Sequence, residues 1–531
     1  MSVGLTSKLK EKLRTFYSAY VLAIVSIGYI LGELGHYLIG TTSKVTAIDL
    51  HYGDISCQFN ATDIFYTTDV PIQCEKANNS DICSSFEFNG TNYCEWNYNG
   101  LGLDYQVLAG PAYMAVFTVA GVILGIAADK YNRVKILAVC TLVFSIAIIL
   151  MGTVSEYWHL VVLRMIMAAG EAGCNPLATG ILSDIFPAEK RALVLSIFNW
   201  GIYGGYGIAF PVGRYVPDAN PWGLSWRVSY FGAGIVGLII TALTAFTLRE
   251  PSRLAIGEDA AEPQAAIAAP GVPALQAPAQ EDKEEITIWK VLAQPRIILL
   301  CLAASIRHCG GMCFAYNSDL YYRDYYPDVD LGWWLFAVTV GIGSIGVVVG
   351  GIVSDKFVAK MGVRSRVAVL AISQLISTLP AFGSVAFGPL WAMITLAISY
   401  FFAEMWFGIV FAILVEIVPL KVRSTTVGIF LFVMNNIGGN LPIVVEPVSK
   451  AIGYRESLMI FYAGFYGISS VMFLFTMFLM DGPAPQPDKV NSTEAGSGER
   501  GHDNSAFALE DARAMRLSIK IQTREISISN Y

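Results

Sequence analysis

The sequence predicts an all-α membrane protein whose twelve transmembrane helices form two similar, pseudo-symmetric halves of six. Three observations lead to this prediction. Hydrophobic residues make up 54% of the 531 residues and charged residues only 15%, which is more apolar surface than one soluble core can bury. Apolar runs long enough to cross a bilayer recur from end to end. Short motifs of the first half return in the second half.

Each predicted span is a run of about 20 apolar residues, the length of helix that crosses a hydrocarbon layer of about 30 Å. Spans 1 to 6 are predicted near residues 17 to 41, 107 to 128, 134 to 154, 159 to 181, 193 to 216 and 228 to 248. Spans 7 to 12 are predicted near residues 297 to 317, 332 to 354, 366 to 385, 389 to 413, 426 to 447 and 457 to 480. The first run is too long for a signal peptide and ends without a small-residue cleavage site, so we interpret it as span 1.

The distribution of Lys and Arg predicts which span ends face the cytoplasm, because positively charged loops stay on that side. The N-terminal segment and alternate loops carry Lys8, Lys10, Lys12, Arg14, Lys130, Arg133, Lys135, Lys190, Arg191, Lys356, Lys360, Arg364, Arg366, Lys421 and Arg423. The opposite loops are much poorer in positive charge. We therefore expect a multi-pass protein of the plasma membrane or of an endosomal or lysosomal membrane, with both termini in the cytoplasm.

The loop between spans 1 and 2, residues 42 to 106, carries two chemistries of the secretory lumen or the cell exterior. Its four cysteines predict two disulfides with three possible pairings, or else four free thiols. They are Cys57, Cys74, Cys83 and Cys94. Its three glycosylation sequons start at Asn60, Asn78 and Asn89. The other cysteines fall in predicted spans without metal-ligand spacing, so no metal or cofactor is expected.

Three further segments are expected to be cytoplasmic and to hold no chemistry of their own. Residues 1 to 16 precede span 1. Residues 251 to 290 are rich in Ala, Pro and acidic residues, which is typical of a flexible linker. This linker would join a first half, residues 17 to 250, to a second half, residues 291 to 481. Residues 482 to 531 are polar and are predicted to be a disordered tail.

An internal repeat relates the two halves. The motif DIFPAEKR, from Asp184 to Arg191, matches EIVPLKVR, from Glu416 to Arg423, and GIAAD, from Gly125 to Asp129, matches GIVSD, from Gly351 to Asp355. Acids and arginines at these helix ends can latch one half against the other, whereas the alternative is that they only cap helices and set topology. The predicted latch consists of Gly125, Asp129, Arg133, Asp184, Arg191, Asp355, Glu416 and Arg423.

The run GIAADKYNRVK, from Gly125 to Lys135, resembles the signature that major facilitator superfamily proteins carry between their second and third helices. Asn132 stands where many members have Gly. The resemblance implies the major facilitator fold, with twelve spans, two homologous halves and a central cytoplasmic linker. It also implies transport by alternating access.

Ionisable residues away from span ends fall in every third span. They are Glu33 and His36 in span 1, Arg164 and Glu171 in span 4, Arg307 and His308 in span 7, and Glu404 in span 10. This period fits three-helix units whose first helices line one shared cavity. A charge at the bilayer centre is costly unless it is paired or hydrated, so a partner is expected for each.

Arg164 and Glu171 lie seven residues apart, which places them on one face of span 4 with about 10 Å between them along the axis. Glu33, at a similar depth in span 1, is expected to reach between them. The alternative is a structural ion pair that orients span 4. Small residues surround Glu171 and Pro176 interrupts the helix beyond it, which favours a movable acid. Protonation of a desolvated carboxylate would free Arg164 or Arg307 to hold an anion.

A second resemblance lies in the string RMIMAAGE, from Arg164 to Glu171, and in the residues that follow it around Pro176 and Asp184. These resemble the spinster-like branch of the superfamily, whose members move lysophospholipids or sphingosine phosphates, in some cases with protons. The resemblance implies that Arg164 and Glu171 are the functional pair, Arg307 a head-group contact and Glu404 its counterpart in span 10. Span 1, which reads GYILGELGH, departs from the pattern of that branch.

The predicted function is alternating-access transport of an anionic lysolipid or sphingolipid-like substrate, with possible coupling to protons. The alternative is a proton-coupled carrier of a small polar solute, a sugar or an organic anion, which the polar pair Asn435 and Asn436 keeps open. A third interpretation is that the protein is a surface receptor that uses the same scaffold without transporting anything. The expected partners are membrane lipids, the substrate and protons. No nucleotide-binding motif and no nucleophile beside a base is visible, so an enzyme and a nucleic-acid partner are not expected.

Overall fold

The structure is a computed structural model that describes residues 2–59, 74, 77, 79–88, 91–186, 194–195, 197–251, 288–326, 329–419 and 423–480. Only the backbone is described for residues 2–11, 59, 87–88, 91, 129, 288, 358–361, 415 and 423–424. The predicted tail and nearly all of the predicted linker lie outside these residues. So do Asn60, Asn78, Asn89 and Arg191, as do the side chains of Asp129 and Arg423.

Helices account for most of the described chain. In the first half they are Ser2–Leu50, Leu103–Ala109, Pro111–Lys130, Arg133–Met151, Tyr157–Glu171, Cys174–Ile185, Gly201–Ala219 and Arg227–Thr247. In the second half they are Ile288–Leu292, Pro295–Tyr325, Gly332–Phe336, Ser344–Met361, Val363–Ala386, Pro389–Ala403, Phe407–Ile417, Arg423–Asn440, Val445–Ile452, Tyr454–Leu458 and Phe465–Phe478. The π-helical turns Ala337–Gly343 and Met459–Gly464 lie within spans 8 and 12.

Eleven helical segments in the described part of the chain are long and apolar enough to cross a membrane, and they correspond to eleven of the predicted spans. Span 5 is the helix Gly201–Ala219, which is 19 residues long. It is less apolar than the others because Gly and Tyr replace aliphatic side chains and because Arg214 lies in it. With span 5 included, the structure has the twelve helices that the sequence predicts.

Equivalent spans pack against each other in the same way in both halves. Span 1 packs on span 5 as span 7 packs on span 11, and span 3 packs on span 6 as span 9 packs on span 12. Span 2 likewise packs on span 4, and span 8 on span 10. The predicted pair of pseudo-symmetric six-helix halves is therefore confirmed.

Spans 4 and 10 are each broken at their buried acid. The first helix of span 4 ends at Glu171 and its second helix is Cys174–Ile185, while the first helix of span 10 is Pro389–Ala403 and ends directly before Glu404. Pro176 lies in the first turn of the second helix of span 4. A backbone N–H group in the first turn has no acceptor within its own helix, so proline costs no hydrogen bond there. The predicted interruption beside Glu171 is thus present. Each break frees main-chain groups in the membrane interior.

Spans 1 and 7 continue beyond the ends that hydropathy predicts. Span 1 reaches Leu50 instead of residue 41, and span 7 reaches Tyr325 instead of residue 317. The extra turns are polar yet buried, because their side chains find partners inside the protein. The Ser43 hydroxyl donates to the Gly100 carbonyl at 2.5 Å, and the Asn317 amide oxygen accepts from Gln106 at 2.9 Å. The first loop therefore runs from 51 to 102, which is shorter than the predicted 42 to 106.

The first loop is held by two disulfides, Cys57–Cys83 and Cys74–Cys94, which is one of the three pairings that its cysteines allow. Strand Ile55–Phe59 pairs antiparallel with Cys94–Tyr98, and a short helix covers Ser80–Ser84. The predicted disulfides are confirmed. We call the membrane side that carries this loop the disulfide side, and the side where span 1 begins the terminal side.

Among the described residues the halves meet where span 1 packs on span 7, where span 2 packs on span 11 and where span 5 packs on span 8. Glycines permit the last two of these approaches. A Cβ atom at Gly439 would collide with Met114, and one at Gly207 would collide with the Val340 side chain. Both contacts lie toward the disulfide side of the bundle, so the halves are closely packed there.

Candidate functional site

Arg164 of span 4 is completely buried, with an exposed fraction of 0%. Its Nε donates to the Leu108 carbonyl at 3.1 Å and its Nη1 donates to the Gly35 carbonyl at 3.2 Å. The guanidinium lies over the ring of Tyr113, with Cζ 4.8 Å from the centroid. Nη2 has no hydrogen-bond partner in the described part of the chain. Among the described residues the acid partner expected from the sequence is absent in this conformation, and two carbonyls and a ring contact the guanidinium instead.

His36 and Glu33 lie one turn apart on the buried face of span 1. The His36 Nδ1 atom is 3.9 Å from Glu33 Oε2, and its Nε2 atom is 3.4 Å from the Tyr316 hydroxyl in the second half. The imidazole is stacked between two rings, with centroids 4.4 Å from Tyr37 and 3.8 Å from Tyr113. These rings fix the plane in which the imidazole lies.

Glu171 is 1% exposed, and neither of its carboxylate oxygens has a hydrogen-bond partner among the described residues. The carboxylate packs on the backbone of span 1, where a Cβ atom at Gly32 would lie 3.0 Å from it. Ligand atoms of Glu33, His36 and Glu171 all lie within 4.8 Å of one another. Glu33 therefore approaches Glu171 and His36, and no ion pair joins Glu33 to Arg164 in the described residues. Neither is the alternative ion pair between Arg164 and Glu171 formed.

Arg307 and Glu404 form the corresponding charged group of the second half, and here the charges are paired. Arg307 Nη2 lies 3.1 Å from Glu404 Oε1 and also donates to the Ala403 carbonyl at 2.7 Å. Arg307 Nε donates to the Gln374 amide oxygen at 3.3 Å. The break in span 10 supplies the second acceptor, because the Ala403 carbonyl is freed where the helix ends. The two halves thus hold the same residue types in different states of pairing.

Aromatic rings and an amide complete this second group, and the sequence reasoning missed them. The Arg307 guanidinium lies 4.3 Å from the Trp406 ring centroid and 5.0 Å from that of Tyr466. The Gln374 amide also donates to the Ala403 carbonyl at 3.1 Å. A search limited to ionisable residues passes over such groups. The detectable signal was Gln374, a lone amide within the otherwise apolar span 9.

His308 does not join its neighbour Arg307 in this network. Its Nε2 atom has no hydrogen-bond partner in the described residues, and its ring centroid lies 5.9 Å from that of Trp406. A Cβ atom at Gly438 of span 11 would lie 2.5 Å from the imidazole. His308 therefore packs against span 11.

Hydrogen bonds between the two halves connect the charged groups near the middle of the bundle. The Tyr203 hydroxyl of span 5 donates to Glu404 Oε2 at 2.9 Å. Trp200 Nε1 of span 5 donates to the Ser344 hydroxyl of span 8. Toward the terminal side of this last bond, no hydrogen bond or ion pair joins described residues of different halves. Among the residues that the structure describes, the bonds between the halves therefore lie at this level or on its disulfide side.

The disulfide side carries a set of charges between the halves that the sequence reasoning did not select. Arg214 of span 5 lies 3.7 Å from Asp319 of span 7 and 3.3 Å from Asp330. The Tyr215 hydroxyl donates to Asp330 at 2.6 Å. Partial burial opposes ionisation of Asp330, but the Tyr215 hydroxyl, the Gly332 N–H and the Arg214 charge outweigh it and hold its pKa below the usual value. This carboxylate is therefore fixed in its charged form.

The first loop also reaches the second half. The Lys450 ammonium of span 11 lies 3.0 Å from Asp54 and 2.9 Å from Glu446, and the Gly102 N–H donates to Glu446 at 3.2 Å. The polar extensions of spans 1 and 7 and the disulfide-bonded loop therefore close the bundle on the disulfide side.

The predicted latch residues form two clusters on the terminal side, each within one half. Arg133 contacts Asp184 at 2.7 Å and Glu250 at 2.8 Å. In the second half Arg366 contacts Asp355 at 2.6 Å and Glu416 at 2.9 Å. Glu250 and Arg366 are additions to the predicted set. The described side chains of these clusters form no bond across the halves in this conformation, so they fasten helices of their own half.

Gly125 does not make the close helix contact that the sequence predicts. A Cβ atom at Gly125 would meet nothing within 4 Å, and the same holds for its repeat partner Gly351. Both glycines lie toward the terminal side, where described residues of the halves are not bonded to each other.

A family model for the Major Facilitator Superfamily matches residues 25–441. The chain belongs to this family. The match includes the run from Gly125 to Lys135 and all four spans that carry buried charges. The predicted superfamily and its twelve-helix fold are thereby confirmed, and the protein is a multi-pass membrane protein of a transporter family.

This major facilitator protein is similar to spinster proteins in sequence and in fold. The sphingosine-1-phosphate transporter SPNS2 of Danio rerio is 32% identical over 145 residues, which is 27% of this chain and 28% of the relative. A bacterial homolog of the human lysosomal transporter Spinster, solved in an inward-facing and occupied conformation, matches with a TM-score of 0.63 at 17% identity. That alignment covers 87% of this chain and 97% of the other. The resemblance to the spinster-like branch is confirmed.

A longer sequence match relates the chain to a carrier of another branch. The hexuronate transporter of Bacillus subtilis is 25% identical over 339 residues, which is 61% of this chain and 73% of the relative. The chain matches only about a quarter of the length of SPNS2. Sequence similarity therefore establishes membership of the superfamily and leaves the substrate class to the site.

Proposed function

We propose that the protein transports an anionic amphiphile, a lysophospholipid or a sphingosine phosphate, by alternating access with coupling to protons. Arg164 is the observation that carries the proposal. Among the described residues this fully buried cation forms no ion pair with an acid, and one of its guanidinium nitrogens has no hydrogen-bond partner. A buried charge in this state is costly, and an anionic substrate offers the partner that it lacks. The similarity of spans around it to spinster proteins supports the choice of a phosphate-bearing lipid.

The proton would be carried by Glu171 together with Glu33. Both carboxylates are buried, and the groups that face them are Arg164, His36, Tyr113 and Tyr29. When both acids are ionised, their charge attracts Arg164. When one is neutralised by a proton, Arg164 is free to bind the substrate anion. Protonation and substrate binding would therefore favour each other at this site.

The charged group of the second half would contribute to transport in a different way. Arg307 is already neutralised by Glu404, and Tyr203 ties that acid to the first half. A substrate head group that binds Arg307 would displace Glu404 and release Tyr203. With the disulfide side in the lumen or outside the cell, the bonds that join described residues of the two halves on that side correspond to an inward-facing conformation.

Uptake into proteoliposomes tests this function. The purified protein is offered a lysophospholipid, a sphingosine phosphate and a hexuronate, each with and without a pH gradient. We expect gradient-dependent uptake of one of the lipids and loss of the gradient effect in Glu171→Gln. Glu156→Gln is the matched control, because Glu156 is exposed at the start of the same span and should behave like the wild type.

Two outcomes would contradict the proposal. Lipid uptake that is equal in wild type and Glu171→Gln, without a gradient effect, would remove the proton role. Failure of every substrate to move, in protein that is folded by circular dichroism and thermal melting, would favour the receptor interpretation over transport.

The second candidate is a proton-coupled carrier of a small organic anion such as a hexuronate. The long match to the hexuronate transporter supports it, as does the amide of Gln374 with the hydroxyls of Tyr203 and Tyr400 around the centre. Such groups are typical of sites that bind sugar hydroxyls. Uptake of hexuronate alone in the same assay would replace the lipid proposal with this one.

A further inference from the structure

The group formed by Glu33, His36 and Glu171 has the composition of a metal site as well as of a proton site. One ligand atom from each residue lies within 4.8 Å of the other two. All three side chains are buried, with exposed fractions of 8%, 3% and 1%. We propose that these residues bind one divalent transition-metal ion, such as Mn²⁺ or Zn²⁺. Binding itself does not depend on which substrate is carried, while any coupling of the metal to transport rests on the function proposed above.

The charge of the group calls for a cation. Two carboxylates face each other in the interior, and both oxygens of Glu171 lack a hydrogen-bond partner in the described residues. The nearest cation, Arg164, donates to the carbonyls of Leu108 and Gly35 instead. Buried carboxylates in native proteins are paired, protonated or bound to a metal. A divalent ion would neutralise both acids at once, whereas protons would have to bind one to each.

The orientation of His36 supports a metal ligand at Nδ1. The contact of 3.4 Å between Nε2 and the Tyr316 hydroxyl can be made by either tautomer of the imidazole. In the tautomer with its proton on Nε2, the lone pair of Nδ1 faces Glu33 Oε2 at 3.9 Å. A lone pair that faces a carboxylate is unfavourable unless a cation lies between them. Metal-ligating histidines commonly hold their other ring nitrogen in this way, by a hydrogen bond to an outer group. The rings of Tyr37 and Tyr113 on either side limit rotation of the imidazole.

The ligand types select the class of ion. Imidazole with two carboxylates suits Mn²⁺, Fe²⁺ and Zn²⁺, whereas Ca²⁺ and Mg²⁺ prefer oxygen ligands alone. Zinc binds nitrogen and oxygen at about 2.0–2.2 Å in tetrahedral geometry, which places its ligand atoms about 3.3–3.6 Å apart. A spacing of up to 4.8 Å therefore requires the ligand atoms to approach one another by up to about 1.5 Å. Both glutamates have the rotatable bonds to do so. The cysteines of the first loop do not compete, because Cys57, Cys74 and Cys94 are held in disulfides.

Mn²⁺ titration of the purified full-length protein tests the proposal. Electron paramagnetic resonance reports free Mn²⁺, and Mn²⁺ avoids the free thiols that would bind Zn²⁺. We expect one saturable site under non-reducing conditions, with affinity that rises with pH because the ligands must be deprotonated. Electron spin echo modulation from one imidazole nitrogen should accompany binding. Glu33→Gln, His36→Gln and Glu171→Gln should each weaken binding by at least about tenfold, the cost of losing even an outer-shell partner.

His308→Gln is the matched control, because His308 is the histidine of the pseudo-equivalent span 7 and has no carboxylate beside its ring. It should bind Mn²⁺ as the wild type does. Tyr316→Phe should weaken binding by about tenfold and leave the nitrogen modulation in place, since it removes only the outer partner. Equal affinity in wild type and Glu171→Gln, or saturable binding without a nitrogen signal, would overturn the site. Because no transport is measured, failure here is distinct from failure of the proposed function.

Discussion

At the centre of the bundle, the two acids Glu171 and Glu404 occupy the same type of position but make different contacts. Glu171 and Glu404 both lie where their span is broken, yet Glu404 contacts Arg307 and Tyr203 while neither carboxylate oxygen of Glu171 accepts a hydrogen bond among the described residues. The buried first-half charges are therefore available to a ligand, whereas those of the second half must first be released. This difference makes Glu171 the more sensitive position to small changes around it.

Gly32→Ala tests that sensitivity. The new Cβ atom would lie 3.0 Å from the Glu171 carboxylate, so the acid must shift. Overpacking of this kind costs about 1–3 kcal/mol. We expect transport in proteoliposomes to fall by roughly tenfold, equivalent to about 1.4 kcal/mol.

Gly28→Ala is the control for this substitution, because it lies one turn earlier on span 1 and its Cβ atom would make an ordinary contact of 3.4 Å with Ile240. Its transport rate should match the wild type. If Gly32→Ala transports normally as well, then the position of the Glu171 carboxylate does not govern the rate.

At the scale of elements, the sequence predicted the spans well and the charged contacts poorly. Apolar runs identified every span, because lipid-facing surface must be apolar wherever a helix crosses the membrane. The ends of spans 1 and 7 were missed because Ser43 and Asn317 are polar by composition but bonded inside the protein. Arg164 was found as a buried charge, but its partners are carbonyls of Gly35 and Leu108, and main-chain acceptors leave no mark in a sequence.

The interface between spans 5 and 8 provides a test at this scale. Gly207→Ala would press a methyl group into the Val340 side chain, in the region where the halves are closely packed. We expect the conformation that is closed on the disulfide side to be destabilised by about 1–3 kcal/mol relative to the conformation that is open there. Double electron–electron resonance between spin labels at Trp222 and Leu390, which are 86% and 66% exposed, should show a longer distance.

Restoring the space should reverse the change. Gly207→Ala combined with Val340→Ala is expected to return the label distance to that of the wild type, while Gly232→Ala, where a Cβ atom meets nothing within 4 Å, should leave it unchanged. A double variant that stays open would mean that helix contact at Gly207 is not what holds this side closed.

For the whole molecule, closure of the disulfide side depends on contacts of unequal strength. Arg214 is 8% exposed and faces Asp319, which is 3% exposed. Lys450, by contrast, has a side chain that is 56% exposed, and exposed pairs contribute about 0–1 kcal/mol. Burial therefore predicts which of these contacts controls the equilibrium between the two conformations.

Arg214→Gln should open the disulfide side far more than Lys450→Gln does. Hydrogen bonds to charged groups contribute about 1.5–3 kcal/mol, so we expect the ratio of open to closed molecules to rise by about tenfold to a hundredfold for Arg214→Gln. Lys450→Gln should change the same ratio by less than about fivefold. The label distances above measure both, and equal effects of the two variants would show that burial does not rank these contacts.

An acidic compartment is not expected to release the contact between Arg214 and Asp330. The pKa of Asp330 is held below its usual value. The carboxylate is therefore charged at every pH above this lowered pKa and loses its charge only as the pH falls through it. The contact is therefore present at pH 7 and persists at about pH 5, well above the ordinary aspartate pKa of about 3.9. Label distances that are the same at these two values in protein that carries both Glu33→Gln and Glu171→Gln, where neither of the two central acids is present, would agree with this prediction. A distance that lengthens at the lower pH would contradict it.

The break in span 10 has a practical consequence for experiments on this protein. The carbonyl oxygen of Ala403 accepts from both Arg307 and Gln374, so the main chain itself is an acceptor in the middle of the membrane. Systematic replacement of residues by alanine would pass over this group, since the residue is alanine already and its oxygen belongs to the backbone. Replacing the amide bond after Ala403 by an ester, which weakens the carbonyl as an acceptor, is the change that would reach it.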